Sequence, residues 1–217
     1  MTTSPSPAAD LRLVLASASS ARSRLLSEAG IPHSTLVSGV DEQEVTESLG
    51  ALSVPDLTVA LAQAKARRVA GYLDQSDPRR TYVIGCDSLL EIDGEAFGRP
   101  ADLPDAARRW QRLRGRTGIL HTGHAVIDLR ADVWVHGAAS TTVRFGNPDD
   151  DEVLAYLASG EPLDVAGAFT LNGLSAPFID GVDGDPSNVI GLSIPLLRRL
   201  LRELGVRWTD LWTRAAP

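Results

Sequence analysis

The sequence predicts an α/β domain built on a mixed sheet, and three observations lead there. Short apolar runs bounded by turn residues alternate with stretches whose apolar residues recur at helical spacing. Strands and helices interleave along the chain instead of segregating, the order that layers helices on a sheet. Neighbouring β-rich segments are also separated by turns short enough for antiparallel hairpins, so the sheet mixes both pairings.

Residues 11–16 (LRLVLA) form the first apolar run and read as a buried strand. Ser17-Ala18-Ser19-Ser20 follows with hydroxyls suited to a helix N-cap. Arg22, Leu25, Leu26 and Ala29 then recur at i, i+3, i+4 and i+7, one face of a helix ended by Gly30. A second strand is expected at 36–40 and a longer helix at 56–73. A strand over 82–90 continues to Asp93-Gly94, a hairpin turn signal. Asp102 caps a helix that places Ala106, Ala107, Trp110 and Leu113 on one face. Segments 119–129 and 133–145 alternate well enough to pair around Arg130-Ala131-Asp132. A short helix at 148–158, an irregular Gly/Asp/Pro-rich stretch to Pro195 and a last helix at 196–204 complete the chain. No repeat or low-complexity block interrupts 11–206, so a single domain is expected there, between a flexible N-terminal tail (1–10) and a C-terminal extension (207–217).

At 217 residues, 43% hydrophobic and 23% charged, the chain has the composition of an ordinary soluble domain. No apolar run approaches the roughly 20 residues that cross a bilayer. The first ten residues lack a basic segment followed by an apolar one, so no secretory signal is expected. One cysteine, Cys86, excludes an internal disulfide framework. These features favour the cytoplasm. A net charge of −7 disfavours binding of long nucleic acid, which depends on phosphate neutralisation, and leaves a single nucleotide open because a few convergent cations suffice. The 21 basic residues are 20 arginines and one lysine, Lys65. A lone lysine in so Arg-skewed a chain is either a chance survivor or the mark of a position that calls for a compact ammonium on a flexible stem.

Several positions carry chemistry. The strand–Ser-Ala-Ser-Ser–helix junction presents unpaired N–H groups, a positive dipole end and hydroxyl donors, the makings of an anion site. Arg22 shares the inward face with Leu25 and Leu26 and adds a guanidinium fork, whereas Arg24 falls on the surface. The same serines would also serve as plain helix caps. Lys65 sits in the i+4 row Leu57, Leu61, Lys65, Val69, Leu73, which places an ammonium in an apolar ridge where it needs an anionic partner. Asp87 ends the run Val83-Ile84-Gly85-Cys86, so an ionisable group emerges at a strand end, where open α/β sheets bind ligands. Such a carboxylate can bind a divalent metal or deprotonate water, and it can equally cap a turn. Asp41, Glu42, Glu161 and Asp164 are further acids from which a hard cation could draw. His121 and His124, three apart in a strand, point to opposite faces and are not expected to share a metal. Neither G-x-x-x-x-G-K-[ST] nor G-x-G-x-x-G occurs, which disfavours a P-loop ATPase and a Rossmann dehydrogenase.

Taken in order, these segments resemble the Maf family of nucleotide pyrophosphatases. The resemblance rests on Leu15-Ala16-Ser17-Ala18-Ser19-Ser20-Ala21-Arg22, Val40-Asp41-Glu42, Ala62-Gln63-Ala64-Lys65-Ala66 and Gly85-Cys86-Asp87-Ser88. It continues through Gly98-Arg99-Pro100, Thr122-Gly123, Ser159-Gly160-Glu161-Pro162-Leu163-Asp164, Ala166-Gly167-Ala168-Phe169, Asn172-Gly173 and Asn188-Val189-Ile190-Gly191-Leu192. It implies a mixed, strongly twisted sheet flanked by helices with a cleft between two lobes, an arrangement shared with inosine triphosphate pyrophosphatases, and frequently a homodimer. The implied reaction is hydrolysis of a nucleoside triphosphate between the α and β phosphorus atoms, assisted by Mg²⁺ or Mn²⁺, giving a monophosphate and pyrophosphate. By motif position Asp87 is implied as the proton acceptor and a metal contact, and Glu42 as a metal or catalytic carboxylate. Ser17, Arg22, Lys65 and Arg99 are implied as triphosphate ligands, with Lys65 also in the catalytic set and Ser88 and Asn172 near the base.

The chain also departs from the family pattern. Ser20-Ala21-Arg22 stands where a Pro-x-Arg is usual, Gly98-Arg99-Pro100 where Gly-Lys-Pro is usual, and Asp164-Val165-Ala166-Gly167 where Asp-Lys-Ala-Gly is common. Asn172 replaces a frequent Gln or Glu, so the sequence follows neither the pyrimidine nor the methylated-guanosine pattern. The alternative to a housecleaning enzyme is a nucleotide-responsive binding protein acting in arrest of septum formation, a role also linked to the family. Retention of Asp87, Glu42 and Lys65 favours the enzyme.

Overall fold

The computed structural model describes residues 10–74 and 76–212. Its strands are β1 (Leu11–Leu15), β2 (Ser34–Thr35), β3 (Arg80–Ile92), β4 (Glu95–Phe97), β5 (Thr117–Asp128), β6 (Val133–Phe145) and β7 (Ile179–Asp183). Its helices are α1 (Ser20–Glu28), α2 (Glu42–Leu49), α3 (Val54–Ala70), α4 (Leu103–Leu113), α5 (Asp150–Ala158), α6 (Pro186–Ile190) and α7 (Ile194–Glu203). The strands form a seven-stranded sheet in the order β2-β1-β3-β5-β6-β7, with β4 on β3. It is mixed, as expected: β1 runs parallel to β2 and β3, while β3–β4 and β6–β7 are antiparallel. No described helix is long and apolar enough to cross a membrane.

The chain divides into two compact units, with boundaries at 87/88, 122/123, 138/139 and 193/194. Residues 11–206, expected as one domain, are distributed over both. The first unit holds the chain up to Asp87, 123–138 and the segment from Ile194 onward. Its core packs Ala62, Ala66 and Val69 of α3 against Val14, Val83, Ala125 and Ile127 of the sheet. Ser53 caps α3 by accepting from the Asp56 N–H, Pro55 occupies the first turn, and Arg67 and Arg68 sit in the last turn, where cations favour the dipole. Two glycines let this helix lie directly on the sheet. A Cβ on Gly85 would strike the Ala62 carbonyl oxygen, and one on Gly123 would strike the Thr58 backbone. Trp208–Leu211, in the expected C-terminal extension, forms a single turn with Leu211 buried, and the Trp212 indole N–H donates to the Ala29 carbonyl. The expected N-terminal tail lies outside the described residues except for Asp10.

The second unit is 88–122 and 139–193. Asp93 and Gly94 turn β3 into β4 with φ of 53° and 78°, the left-handed pair of a tight hairpin. Asp102 caps α4, and Asp149 and Glu152 close a reciprocal capping box on α5. Trp110 is fully buried, meets Phe145, Tyr156 and Phe178 edge-on, and donates its indole N–H to the Ala168 carbonyl at 2.9 Å.

Three expectations are corrected. The second strand is Ser34–Thr35 and not 36–40: Leu36 still donates to the Leu15 carbonyl, but Gly39 turns the chain at φ 62° and Val37 is exposed. Asp87, expected to emerge at a strand end, lies within β3, because the chain beyond it stays extended and pairs with β4 from Leu90↔Phe97 to Ile92↔Glu95. Asp41 caps α2 by accepting from the Gln43 and Glu44 N–H groups, both at 3.0 Å. The stretch to Pro195, expected as irregular, contains β7 and α6.

Candidate active site

The first unit gathers five of the expected residues. Ser17 follows β1, and Ser19 caps α1 by accepting from the Arg22 N–H at 3.3 Å. The Ser17 hydroxyl accepts from the Ser19 N–H at 3.1 Å and from Arg22 Nη1–H at 3.2 Å. With two hydrogen bonds received, Ser17 has its own proton to donate, toward an acceptor such as a phosphate oxygen. Arg22 is half-buried and faces inward, whereas Arg24 is exposed and pairs with Glu28, the split its helix position predicts.

Lys65 is the centre of the constellation. It is buried on the inward row of α3 with Leu61 and Val69. Its Nζ donates to Asp87 Oδ1 at 2.5 Å and lies 2.7 Å from Glu42 Oε1. The close approach of α3 at Gly85, two residues before Asp87, is what brings the ammonium within reach. Glu42 is the first residue of α2, and its side chain is 44% exposed; Asp87 is 4% exposed overall. Burial pushes the Asp87 carboxyl above its ordinary range, opposed by the Lys65 and Arg22 charges and reinforced by Glu42. A raised carboxyl is a stronger base once ionised. Mg²⁺ takes one or two protein carboxylates when phosphates supply further ligands, so Asp87 and Glu42 fit the protein share of such a site. Among the described residues, no three or more His, Cys, Asp or Glu side chains gather to cage a metal unaided.

Ser88, Arg99 and Asn172 lie in the second unit. The Thr122 hydroxyl donates to the Asn188 carbonyl at 3.1 Å, a bond with only one possible direction. Ser88 Oγ, 2.9 Å from Thr122 Oγ1, must then be the donor of that pair, so Ser88 can meet a ligand as an acceptor. Asn188 is buried and its amide N–H₂ donates to the Leu120 carbonyl and Thr141 Oγ1, which pins this network. Asn172 is exposed; its Oδ1 accepts from Thr170 Oγ1 at 2.6 Å, which turns its amide nitrogen away as a donor. Arg99 is exposed, on a loop whose Gly98 and Arg99 carbonyls accept from Arg109.

Three residues that position the second unit's candidates escape sequence reasoning. Thr122 and Asn188 stand inside matched blocks, yet only the hydrogen-bond directions reveal their part. Arg109 reads as one more arginine on the helix after Asp102. Of the further acids, Asp41 is a helix cap, and Glu161 accepts twice from the Leu174 N–H, at 2.9 and 3.0 Å, anchoring the turn after Asn172. His121 bonds Ser140 and Glu91 in the second unit, while His124 belongs to the first.

Comparison with known proteins adds to this geometry. The family profile of Maf-like proteins matches residues 12–204. A nucleoside triphosphate pyrophosphatase of Streptomyces coelicolor is 57% identical over 204 residues, spanning 94% of this chain and 96% of the relative. One of Salinispora tropica is 52% identical over 204 residues, spanning 94% and 88%. Another, of Mycobacterium sp. (strain JLS), is 51% identical over 207 residues, spanning 94% and 99%.

Proposed function

Because the chain belongs to the Maf-like protein family, we propose that it is a nucleoside triphosphate pyrophosphatase that cleaves the α–β phosphoanhydride with Asp87 as proton acceptor. The observation that carries the assignment of Asp87 is its contact with Lys65: a buried carboxylate, raised by burial, held in line by an ammonium that also touches Glu42.

In this reading the Asp87 carboxylate takes a proton from water, and the water oxygen forms a bond to the α-phosphorus. The bond from the α-phosphorus to the bridging oxygen breaks, and its electron pair leaves with pyrophosphate. The remaining product is a nucleoside monophosphate. Ser17 donates its hydroxyl proton to the phosphates, while Arg22, Lys65 and Arg99 offset their charge; such pre-set donors and cations are the largest source of rate in phosphoryl chemistry. A divalent cation, Mg²⁺ or Mn²⁺, would be held by Asp87 and Glu42 and would supply further neutralisation of phosphate oxygens. Ser88 and Asn172 would meet the base, the first accepting a hydrogen bond and the second donating one. The net charge of −7 supports a free nucleotide over a nucleic-acid polymer as the partner.

The test is pyrophosphate release from a panel of canonical and modified nucleoside triphosphates with Mg²⁺ or Mn²⁺. At least one is expected to turn over, and Asp87→Asn is expected to lose on the order of 10²-fold or more in kcat. Metal-dependent nucleotide binding with no pyrophosphate from any substrate would instead support a nucleotide-responsive binding protein.

A further inference from the structure

We propose that the Lys65 ammonium is the resident counter-ion of Glu42 and Asp87, and that it gives up this place when a divalent cation arrives with a triphosphate. Metal and nucleotide would then bind cooperatively, not independently. The inference rests on the reading of Glu42 and Asp87 as the metal carboxylates.

Three observations carry it. One ammonium touches both carboxylates at once, at 2.7 and 2.5 Å, so it already supplies the neutralisation that a metal would otherwise bring. Adding a divalent cation to the same two side chains while Lys65 stays in place would set like charges a few ångströms apart in a largely buried setting, where screening is weak. The ammonium ends a four-carbon stem rooted among Leu61 and Val69, so the head group can swing while the helix stays fixed. Of the chain's 21 lysine and arginine residues this is the one lysine; the other 20 carry arginine's planar fork.

Leaving the carboxylates requires another anion, because a buried ammonium without one is costly. A triphosphate supplies it. Without nucleotide, metal must compete with Lys65 and binds weakly; with nucleotide, the ammonium transfers to phosphate and metal affinity rises. By linkage, the metal tightens nucleotide binding by the same factor.

Lys65 is the sole lysine, so full-length protein grown with [¹⁵N]lysine gives one Nζ resonance that reports on this ammonium alone. The Nζ line is followed through titration with Mg²⁺ alone, with inorganic tripolyphosphate alone and with both. Mn²⁺ affinity without nucleotide is measured by electron paramagnetic resonance for wild type, Lys65→Met, Lys65→Arg and Glu42→Gln. The proposal expects the Nζ line to move farther with Mg²⁺ and tripolyphosphate together than with Mg²⁺ alone. It also expects Lys65→Met to bind Mn²⁺ tighter than wild type by on the order of 10-fold or more, and Lys65→Arg, which keeps the charge, to gain far less. A Nζ line unmoved by both ligands in a protein that releases pyrophosphate overturns the proposal and leaves the assigned reaction standing. Equal or weaker Mn²⁺ binding by folded Lys65→Met does the same; if that variant does not fold, the wild-type Nζ titration decides alone. Unchanged Mn²⁺ affinity in Glu42→Gln would remove the reading of the metal carboxylates, and the proposal with it.

Discussion

Replacing Lys65 by methionine keeps the length of the side chain and removes its charge. At about 2.5 Å and an effective dielectric near 20, the attraction of Lys65 for Asp87 is about 6–7 kcal/mol, against a desolvation cost of several kcal/mol for each ion. The pair by itself therefore contributes little net stability. Breaking it is another matter, because Asp87 is 4% exposed and would be left buried and charged. That situation costs about 3–5 kcal/mol. Glu42 adds little, since its side chain is 44% exposed and solvent screens it. Urea unfolding of wild type, Lys65→Met, Asp87→Asn and the double variant gives the coupling directly. Lys65→Met is expected to cost about 3–5 kcal/mol at pH 8, and the double variant to recover about 1.5–3 kcal/mol of it. The pH dependence has a fixed sign. A carboxyl whose folded pKa lies above its unfolded value favours the folded state below the unfolded value and loses that contribution as pH rises through the folded one. The Asp87 carboxyl is raised by burial, and losing Lys65 removes an influence that lowers it, so the Lys65→Met penalty should shrink from pH 8 to pH 5. Single costs that add within about 0.5 kcal/mol, or a penalty equal at both pH values, would refute the reasoning.

Other outcomes follow from the same contacts. Gly85→Ala should cost about 1–3 kcal/mol by driving α3 off the strand, as a lower urea midpoint with unchanged slope; a loss under about 0.5 kcal/mol would mean that the helix is not seated there. The Cys86 thiol is fully buried, and burial pushes its pKa up to about 11, so Ellman's reagent at pH 8 should react only after unfolding. Rapid labelling of native protein would contradict that burial. Thr122→Val removes the acceptor that fixes the direction of the Ser88 hydroxyl, so preference for uridine triphosphate over its N3-methyl analogue, set by Ser88 accepting from N3–H, should fall by about 2- to 10-fold. An unchanged ratio in an active variant would place Ser88 away from the base.

Much of the site was legible because burial leaves a period behind. Lys65 stands out in the row from Leu57 to Leu73, and the apolar run before Asp87 reads as a buried strand, although β3 runs on past the acid to Ile92 instead of ending there. The turn at Asp93-Gly94 and the cap at Asp102 were legible because each depends on local backbone chemistry alone. What escaped did so for physical reasons. Helix α2 has no buried residue, so it shows no apolar stripe, and its only local mark is Asp41 with Glu44 three residues later. Strand β7 is broken to the eye by Asp180 and Gly181, yet it pairs with β6 along Val143↔Val182 and Arg144↔Gly181. The direction of the Ser88 hydroxyl depends on a bond from Thr122 to Asn188, 66 residues away, and no local pattern encodes it.

The central claim is that Asp87 activates water at a triphosphate. The measurement closest to it is single-turnover pyrophosphate release by wild type and Asp87→Asn at saturating Mg²⁺, on a nucleotide found to be a substrate. The account predicts a chemical step slowed on the order of 10²-fold or more, with nucleotide still bound. Pyrophosphate released by Asp87→Asn at the wild-type rate would contradict it.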